Sequence, residues 1–304
     1  MKKILNSFKN IKFKKANPVF VIIGIVLFLY CLSLVFTLFW ALMASLKTRS
    51  AFAVSAISFP KFSEMQFQNY ATVFEFFYVT VGKGSAERDV YMLEMFLYSV
   101  LYAGGSSICL VFTTSTVAYC CARFKKFKVA GVYTAVVIFT MAMPAVGGQA
   151  AELEMLLRIG LYDSMIGMWI MKLYFGGVYY LVFLATYASI SKDYSDAAYI
   201  DGANNYTIYF RLMMPLVSKT LATVLLIDVI AFWNDYQTPL LYMPSSPTLA
   251  YGLYMFSITN KNQKLSSVPM RMAGCMVLFI PIFIVFIAFQ KQRIGNVAVG
   301  GLKE

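Results

Sequence analysis

The chain has 304 residues, of which 60% are hydrophobic and 13% are charged. Soluble domains carry roughly 25% charged residues, so this composition excludes an ordinary soluble domain and predicts a polytopic membrane protein. The net charge of +12 lies in short loops between apolar segments. That distribution is typical of the positive-inside pattern and argues against a nucleic-acid partner.

Histidine is absent, and the five cysteines lie in or beside apolar segments without metal-site spacing. The chain therefore lacks the commonest general base and metal ligand. Its cysteines are interpreted as small buried hydrophobes. We expect no catalytic residue, no metal site and no disulfide framework.

Six apolar segments are long enough to cross a bilayer, which needs about 20 residues. They cover residues 19–46, 95–122, 129–151, 164–190, 216–241 and 272–290. The first follows a basic N-terminus (1–18) and exceeds the apolar region of a signal peptide, so we expect an uncleaved helix. The sequence thus predicts an all-α transmembrane helical bundle of six helices with a core over 95–290, an extracellular segment (47–94) and a tail (291–304).

Proline and glycine interrupt two of these segments. Pro144, Gly147 and Gly148 lie in the third segment and Pro281 in the sixth. Such residues kink helices, and the kinks serve either gating or static packing. Within the extracellular segment, VGKGSAERD (81–89) is expected to form an exposed loop tip.

Lysine and arginine predict the topology. With the N-terminus in the cytoplasm, the inside segments hold 16 of these residues and the outside loops hold ten. This bias favours cytoplasmic N- and C-termini. The polar stretch 191–215, called the elbow below, then faces the cytoplasm.

The motifs that would bind a nucleotide or perform hydrolysis are missing. The sequence has no G-x-x-x-x-G-K-[ST] phosphate loop, and GKGS (82–85) lacks the required pair of residues. A Ser-His-Asp set is impossible without histidine. If ATP drives this protein, another chain must bind it.

The first half of the elbow predicts a short helix that ends in a tight turn. Asp193, Ser195 or Asp196 can cap its N-terminus, and the next two residues are alanines, which favour helix and add almost no bulk. Gly202 then ends the helix, because glycine adopts positive φ at no steric cost. This helix is slim enough to enter a groove on another protein.

The second half predicts another helix, with Asn204 or Asn205 as its cap. A hydrophobic stripe follows at spacings of three and four, formed by Tyr206, Tyr209, Phe210 and Met213. Pro215 suits the first turn of the next helix. From physics alone, an amphipathic linker lying on lipid headgroups remains an alternative to a docking element.

The elbow resembles the Glu-Ala-Ala motif of ABC-transporter permeases, which reads Glu-Ala-Ala, three residues, Gly, nine residues, Ile-x-Leu-Pro. Here Asp196-Ala197-Ala198 is followed at the same spacings by Gly202 and by Leu212-Met213-Met214-Pro215. Further segments are similar to the carbohydrate-uptake branch of the maltose-transporter type. They are ASLKT (44–48), FWNDYQTPLLY (232–242), QK (290–291) and GGLKE (300–304). The likeness covers residues 19–304, whereas the outer segment 76–94 departs from the family pattern.

The resemblance implies the ABC type I importer permease fold and a complex in which separate subunits perform translocation, ATP hydrolysis and solute delivery. A second homologous permease completes the pathway, and two ATPase subunits carry the ATP and Mg. An extracellular solute-binding protein delivers the sugar, an oligosaccharide in this branch, to the permease. The complex lies in the plasma (inner) membrane of a bacterium or archaeon.

The resemblance also assigns the ATPase-coupling residues. They are Asp196, Ala197, Ala198, Gly202, Leu212 and Pro215. No cofactor is then expected on this chain itself, because hydrolysis takes place on the partner.

Candidate pathway residues lie in and after the fifth segment. Asp228 is near its middle, where a charge usually faces a cavity or the protein interior. Asp235 is seven residues on and is expected on the same helical face, close to Trp233, Asn234 and Tyr236. Carboxylates, amides and aromatic rings are the groups that hold sugars. The alternative is that Asp228 pairs structurally with Lys172 or a hydroxyl group.

Competing functions remain on the same sequence. A permease for a peptide or amino acid would have the same architecture. A stand-alone secondary transporter using Asp228 as its ion site would need a second, repeated half, which we do not find. A membrane enzyme is disfavoured because no catalytic set appears.

Overall fold

A computed structural model of the protein describes residues 18–82, 87–125, 127–143, 147–259 and 267–294. The helices are α1 (Pro18–Ser45), α2 (Arg49–Val54), α3 (Gln68–Phe76), α4 (Met92–Arg123), α5 (Lys128–Ala142), α6 (Gly148–Arg158), α7 (Met165–Met171), α8 (Gly177–Ala188), α9 (Asp193–Ile200), α10 (Asn205–Leu216), α11 (Ser218–Trp233), α12 (Gln237–Tyr242), α13 (Leu249–Thr259) and α14 (Val268–Ile294). Strands β1 (Tyr78–Val81) and β2 (Arg88–Tyr91) form an antiparallel hairpin. The predicted all-α class is confirmed. The predictions for the basic N-terminus before residue 18, for Pro144 and for the tail after residue 294 lie outside the described residues.

Three of the described helices are long and apolar enough to cross a membrane. They are α1, α4 and α14, and a fourth span is possible if the bent pair α10 and α11, which meet at 74°, acts as one. Helices α5, α8 and α13 are apolar but shorter. The protein is therefore a multi-pass membrane protein, and the number of six crossings stays a prediction.

Three of the predicted segments are each divided into a pair of helices. The third stops at Ala142 and resumes at Gly148, as its glycines indicated. The prediction of one unbroken fourth segment is wrong, because α7 ends at Met171 and α8 begins only at Gly177, whose φ is +79°. The fifth ends at Trp233 and restarts as α12.

Helix α4 is the central packing element, and it contacts α7, α8, α11 and α13. Its buried face is rich in small hydroxyl residues, which allow helices in a membrane to approach closely. At Gly105 the indole of Trp169 on α7 fills the space that a Cβ atom would need. The indole nitrogen of Trp169 donates to the carbonyl oxygen of Leu101 at 3.0 Å. Gly105 therefore determines how closely α7 packs on α4.

The segment after α1 is folded rather than extended. Lys47 is buried and its Nζ donates to the carbonyl oxygen of Ser55 at 2.9 Å, which compensates for the loss of water. Val79 and Val90 face each other across the hairpin and pack into a core with Met95. The predicted loop tip (81–89) is shorter than expected, because Val81 belongs to β1 and is buried, and Arg88 and Asp89 belong to β2. Residues 83–86 lie outside the described part of the chain.

Candidate functional site

The first helix of the elbow forms where it was predicted, but none of the expected residues caps it. Helix α9 begins at Asp193 and has Lys192 at its N-cap position, without a side-chain capping bond. Ser191 acts instead, accepting a hydrogen bond from the backbone N–H of Asp193 at 3.3 Å. Ser195 cannot act as the cap because it is the third residue of α9, where its side chain is fully buried.

The turn at Gly202 has the geometry that the sequence indicates. Gly202 has a φ of +79°, the left-handed conformation that other residues adopt at a cost. Its N–H donates to the carbonyl oxygen of Tyr199 at 3.0 Å, and the N–H of Ala203 donates to that of Ala198 at 2.9 Å. These two bonds form a Schellman motif, which satisfies the free carbonyl groups at the end of α9.

Helix α10 begins with the expected cap. Asn204 Oδ1 accepts from the N–H of Thr207 at 2.8 Å. The expected four-residue stripe is only half correct, because Tyr209 and Met213 are buried whereas Tyr206 and Phe210 are exposed. The reason is a π-helical turn over Ile208–Met213, which adds a residue to the turn and shifts the side-chain register.

The elbow is held against α4 by Arg123, which sequence reasoning did not single out. Its Nη2 lies 3.2 Å from Oδ1 of Asp196, and its guanidinium carbon lies 5.9 Å from the ring centre of Tyr199. Helix α9 also exposes Tyr194, Ala197 and Ile200 at spacings of three, with Asp193 and Asp196 exposed beside them. Ile200 is 88% exposed, so no other described residue covers this end of α9.

The remaining predicted coupling residues are divided between surface and core. Ala198 and Leu212 are partly buried and pack against the core beneath the elbow. Pro215 lies in the last turn of α10, just before α11, and is exposed. The motif therefore combines residues that anchor the elbow with residues on its free face.

Among the pathway candidates, Asp228 is only 4% exposed and faces α8. Tyr179 is the hydroxyl group that interacts with it, while Oδ2 has no hydrogen-bond partner among the described residues. The suggested pairing with Lys172 is wrong. Lys172 Nζ instead lies 5.1 Å from the ring centre of Phe232. Phe232 is one helical turn after Asp228 in α11.

The expectation that Asp235 shares a helical face with Asp228 is also wrong. Helix α11 ends at Trp233, and Asp235 instead accepts from the N–H of Thr238 at 3.0 Å at the start of α12. Its other oxygen accepts from the hydroxyl of Tyr102 on α4 at 2.8 Å. Asp235 therefore links two helices.

Asn234 and Tyr236 are the two candidates that line an open cavity, of 580 Å³. The ring of Tyr236 stacks on that of Tyr254, with centres 4.5 Å apart. Trp233 is buried instead, and its indole donates to the carbonyl oxygen of Leu278 at 3.3 Å. The cavity thus offers an aromatic pair beside an amide, and Tyr254 lies in α13, between the predicted fifth and sixth segments.

Comparison with known proteins gives the identity of this architecture. Residues 114–292, more than half of the chain, match the family described as binding-protein-dependent transport system inner membrane component. The chain belongs to this family. It is therefore an inner-membrane permease subunit, a transport subunit rather than an enzyme, and the resemblance based on the elbow is confirmed.

Relatives of this permease align along nearly its whole length. It is 26% identical to the probable starch degradation products transport system permease protein AmyC of Thermoanaerobacterium thermosulfurigenes, over 90% of this chain and 95% of the relative. It is 25% identical to the arabinooligosaccharides transport system permease protein AraQ of Bacillus subtilis, over 92% of this chain and 95% of the relative.

A solved structure shares the fold of the permease. It is a chain of a bacterial ABC transporter involved in the import of the acidic polysaccharide alginate, with a TM-score of 0.72 and 20% sequence identity. The match covers 92% of this chain and 98% of that chain. The helical breaks and the elbow described above thus belong to an ABC importer permease fold.

Proposed function

We propose that this permease is one half of the translocation pathway of an ATP-driven carbohydrate importer and that its solute is an oligosaccharide. Support comes from the family and from relatives whose names specify starch degradation products and arabinooligosaccharides. The permease contains no phosphate loop, so its energy comes from a separate ATPase. The chain itself binds no cofactor, while ATP and Mg act on the ATPase.

The observation that carries this proposal is the geometry of the elbow. Helix α9 is attached to α4 through Arg123 and Asp196, and it exposes a small apolar face around Ala197 and Ile200. A short helix of this shape fits a groove on the ATPase surface. Movement of the ATPase would then pass to the membrane helices through a contiguous contact, as energetic coupling requires.

We further propose that the cavity beside Asn234, Tyr236 and Tyr254 is part of the sugar pathway. Its volume of 580 Å³ lies in the range of about 300–1,000 Å³ that is usual for ligand sites. The exposed face of Tyr236 can contact the C–H surface of a sugar ring, and the amide of Asn234 can both donate to and accept from hydroxyl groups. Asp228 and Trp233 remain pathway predictions, although neither lines this cavity.

The proposed assembly contains this permease, a second homologous permease, two ATPase subunits and an extracellular solute-binding protein. The N- and C-termini are placed in the cytoplasm, with the elbow, because lysine and arginine are concentrated in the segments on that side. The importer lies in the plasma membrane of a bacterium or archaeon.

A transport assay tests the proposal. The permease is co-expressed with its candidate partners, reconstituted in liposomes and supplied with labelled oligosaccharides, a peptide pool or free amino acids. We expect uptake of an oligosaccharide that requires both ATP and the binding protein. Uptake of peptides alone would contradict the proposal that the solute is a carbohydrate. Uptake by this chain without ATP would contradict the ATP-driven mechanism and indicate secondary transport.

A further inference from the structure

A small pocket lies behind the elbow, between the end of α4, the end of α8 and the start of α9. Its volume of 80 Å³ exceeds the roughly 10–15 Å³ that one ordered water needs by the same kind of measure. A group with the size of a single phosphate fits.

The charge around this pocket is one-sided. Arg123, Lys125 and Lys192 line it, and its described lining includes no carboxylate. The nearby carboxylate of Asp196 contacts Nη2 of Arg123, and that of Asp193 accepts from the hydroxyl of Ser191. The two lysines have no salt-bridge partner among the described residues. The pocket therefore has an unbalanced positive charge.

Ser195 provides the second observation. Its side chain is fully buried and lines the pocket, and its Oγ has no hydrogen-bond partner among the described residues. A buried hydroxyl without a partner is costly, so native structures rarely leave one unsatisfied. A bound group that accepts hydrogen bonds would supply the partner.

We propose that this pocket binds the phosphate of an anionic phospholipid headgroup. It lies at the end of α4, which is long and apolar enough to cross the membrane, and we infer that its opening faces the headgroups. Basic pockets between membrane helices are a known type of headgroup site. Arg123 and the two lysines would contact the phosphate oxygens, and the hydroxyl of Ser195 would donate to one of them.

The bound lipid would contact α9 on the buried side of the helix, away from the exposed residues of the elbow. Ser195 is buried against α4 and α8, whereas Ile200 on the same helix is exposed. A phosphate bound by groups from both α4 and α9 would brace the elbow in the position from which it contacts a partner. This inference goes beyond the proposed function, and it does not depend on which solute is carried.

The test measures lipid retention by the full chain in nanodiscs of phosphatidylcholine with or without phosphatidylglycerol. Native mass spectrometry then counts the phospholipids that remain bound. We compare Lys192→Gln with Lys219→Gln, which removes the same charge from an exposed lysine outside the pocket. Each basic residue near the headgroups contributes an affinity equivalent to about a fivefold change. We therefore expect about fivefold less retained phosphatidylglycerol in Lys192→Gln and little change in Lys219→Gln.

Ser195→Ala separates a binding role from a packing role. If the hydroxyl binds phosphate, this variant retains less phosphatidylglycerol while keeping its melting temperature. Equal retention in Ser195→Ala, or equal retention in the two lysine variants, would overturn the proposal. Inorganic phosphate, added as a separate probe in phosphatidylcholine nanodiscs, distinguishes the source. Stabilisation by inorganic phosphate with no effect of phosphatidylglycerol would assign the site to free phosphate instead of lipid.

Discussion

Arg123 at the end of α4 lies 3.2 Å from Asp196 in the first turn of α9. The two residues are 73 positions apart in the chain, so their contact joins the acidic position of the permease motif to a membrane helix. The side chain of Arg123 is 16% exposed, whereas that of Asp196 is 65% exposed. This contact is therefore suited to orienting the elbow more than to stabilising the fold.

We predict that Arg123→Gln lowers transport per ATP hydrolysed. It should change the free energy of unfolding by less than about 1 kcal/mol, because the Asp196 end of the ion pair is exposed to solvent. The measurement is the ratio of sugar uptake to ATPase rate in liposomes. Arg158→Gln is the control, since it removes an exposed ion pair with Glu154 within α6. Coupling that is lowered equally by both variants would contradict a specific role for the Arg123 contact.

Gly202 is predicted to tolerate only residues that adopt left-handed backbone conformations. Nothing lies within 4 Å of a Cβ atom built there, so its φ of +79° is the only obstacle to a side chain. We expect Gly202→Val to strain the turn by about 1–2 kcal/mol and to reduce coupled transport. Gly202→Asn should retain most of it, because asparagine visits this conformation readily.

The assay compares ATPase activity and uptake in the two Gly202 variants after co-purification with the ATPase. If Gly202→Val retains the wild-type ratio of uptake to ATP hydrolysis, the elbow is a linker and not a coupling element. Loss of activity in both variants would show that any side chain at this position interferes with partner binding.

Tyr236 is predicted to contribute to sugar binding through its ring. We expect Tyr236→Ala to raise the KM for uptake by roughly tenfold, at the upper end of what aromatic contacts contribute, and Tyr236→Phe to have little effect. Tyr30→Ala removes another exposed tyrosine, on α1 and outside both proposed sites, and serves as the control. If Tyr236→Ala keeps the wild-type KM, the cavity is not part of the pathway.

Gly105 and Gly104 form a matched pair for the packing of α7 on α4. A Cβ atom at Gly105 would overlap the indole of Trp169, whereas one at Gly104 would meet nothing within 4 Å. We expect Gly105→Ala to destabilise the permease by about 1–3 kcal/mol through overpacking, and Gly104→Ala to be neutral. Thermal unfolding in detergent measures both variants. A similar melting temperature in the two would show that α7 moves aside without cost.

The sequence predicted the elements whose signals are local. Long apolar runs indicated the membrane helices, and the positive φ of Gly202 and the cap at Asn204 followed from turn chemistry. Local signals failed where several residues were candidates for the N-cap of α9, because Ser191 acts in place of Asp193. They also failed at the π-helical turn, which shifts the hydrophobic stripe of α10.

The candidate cavity was predictable only in part. Asn234 and Tyr236 were suggested by their residue types, but nothing in the sequence indicated that Tyr254 would stack on Tyr236. Asp235 was expected to share a face with Asp228, since regular helical spacing was assumed across a break. The sequence identified the carboxylate and aromatic residues as candidates for the pathway. It did not identify the residues that they contact.

By itself, the sequence determined that this protein is a helical membrane protein with a small-faced elbow, because hydrophobic run length and glycine spacing depend on neighbouring residues alone. The tertiary structure decided which distant groups meet. Tyr102 reaches Asp235 across 133 positions, and Arg123 reaches Asp196 across 73. These contacts depend on where α4 lies relative to α9 and α12. That position is decided by the packing of α4 on α7, α8, α11 and α13, where small residues allow close approach, and no local pattern specifies it.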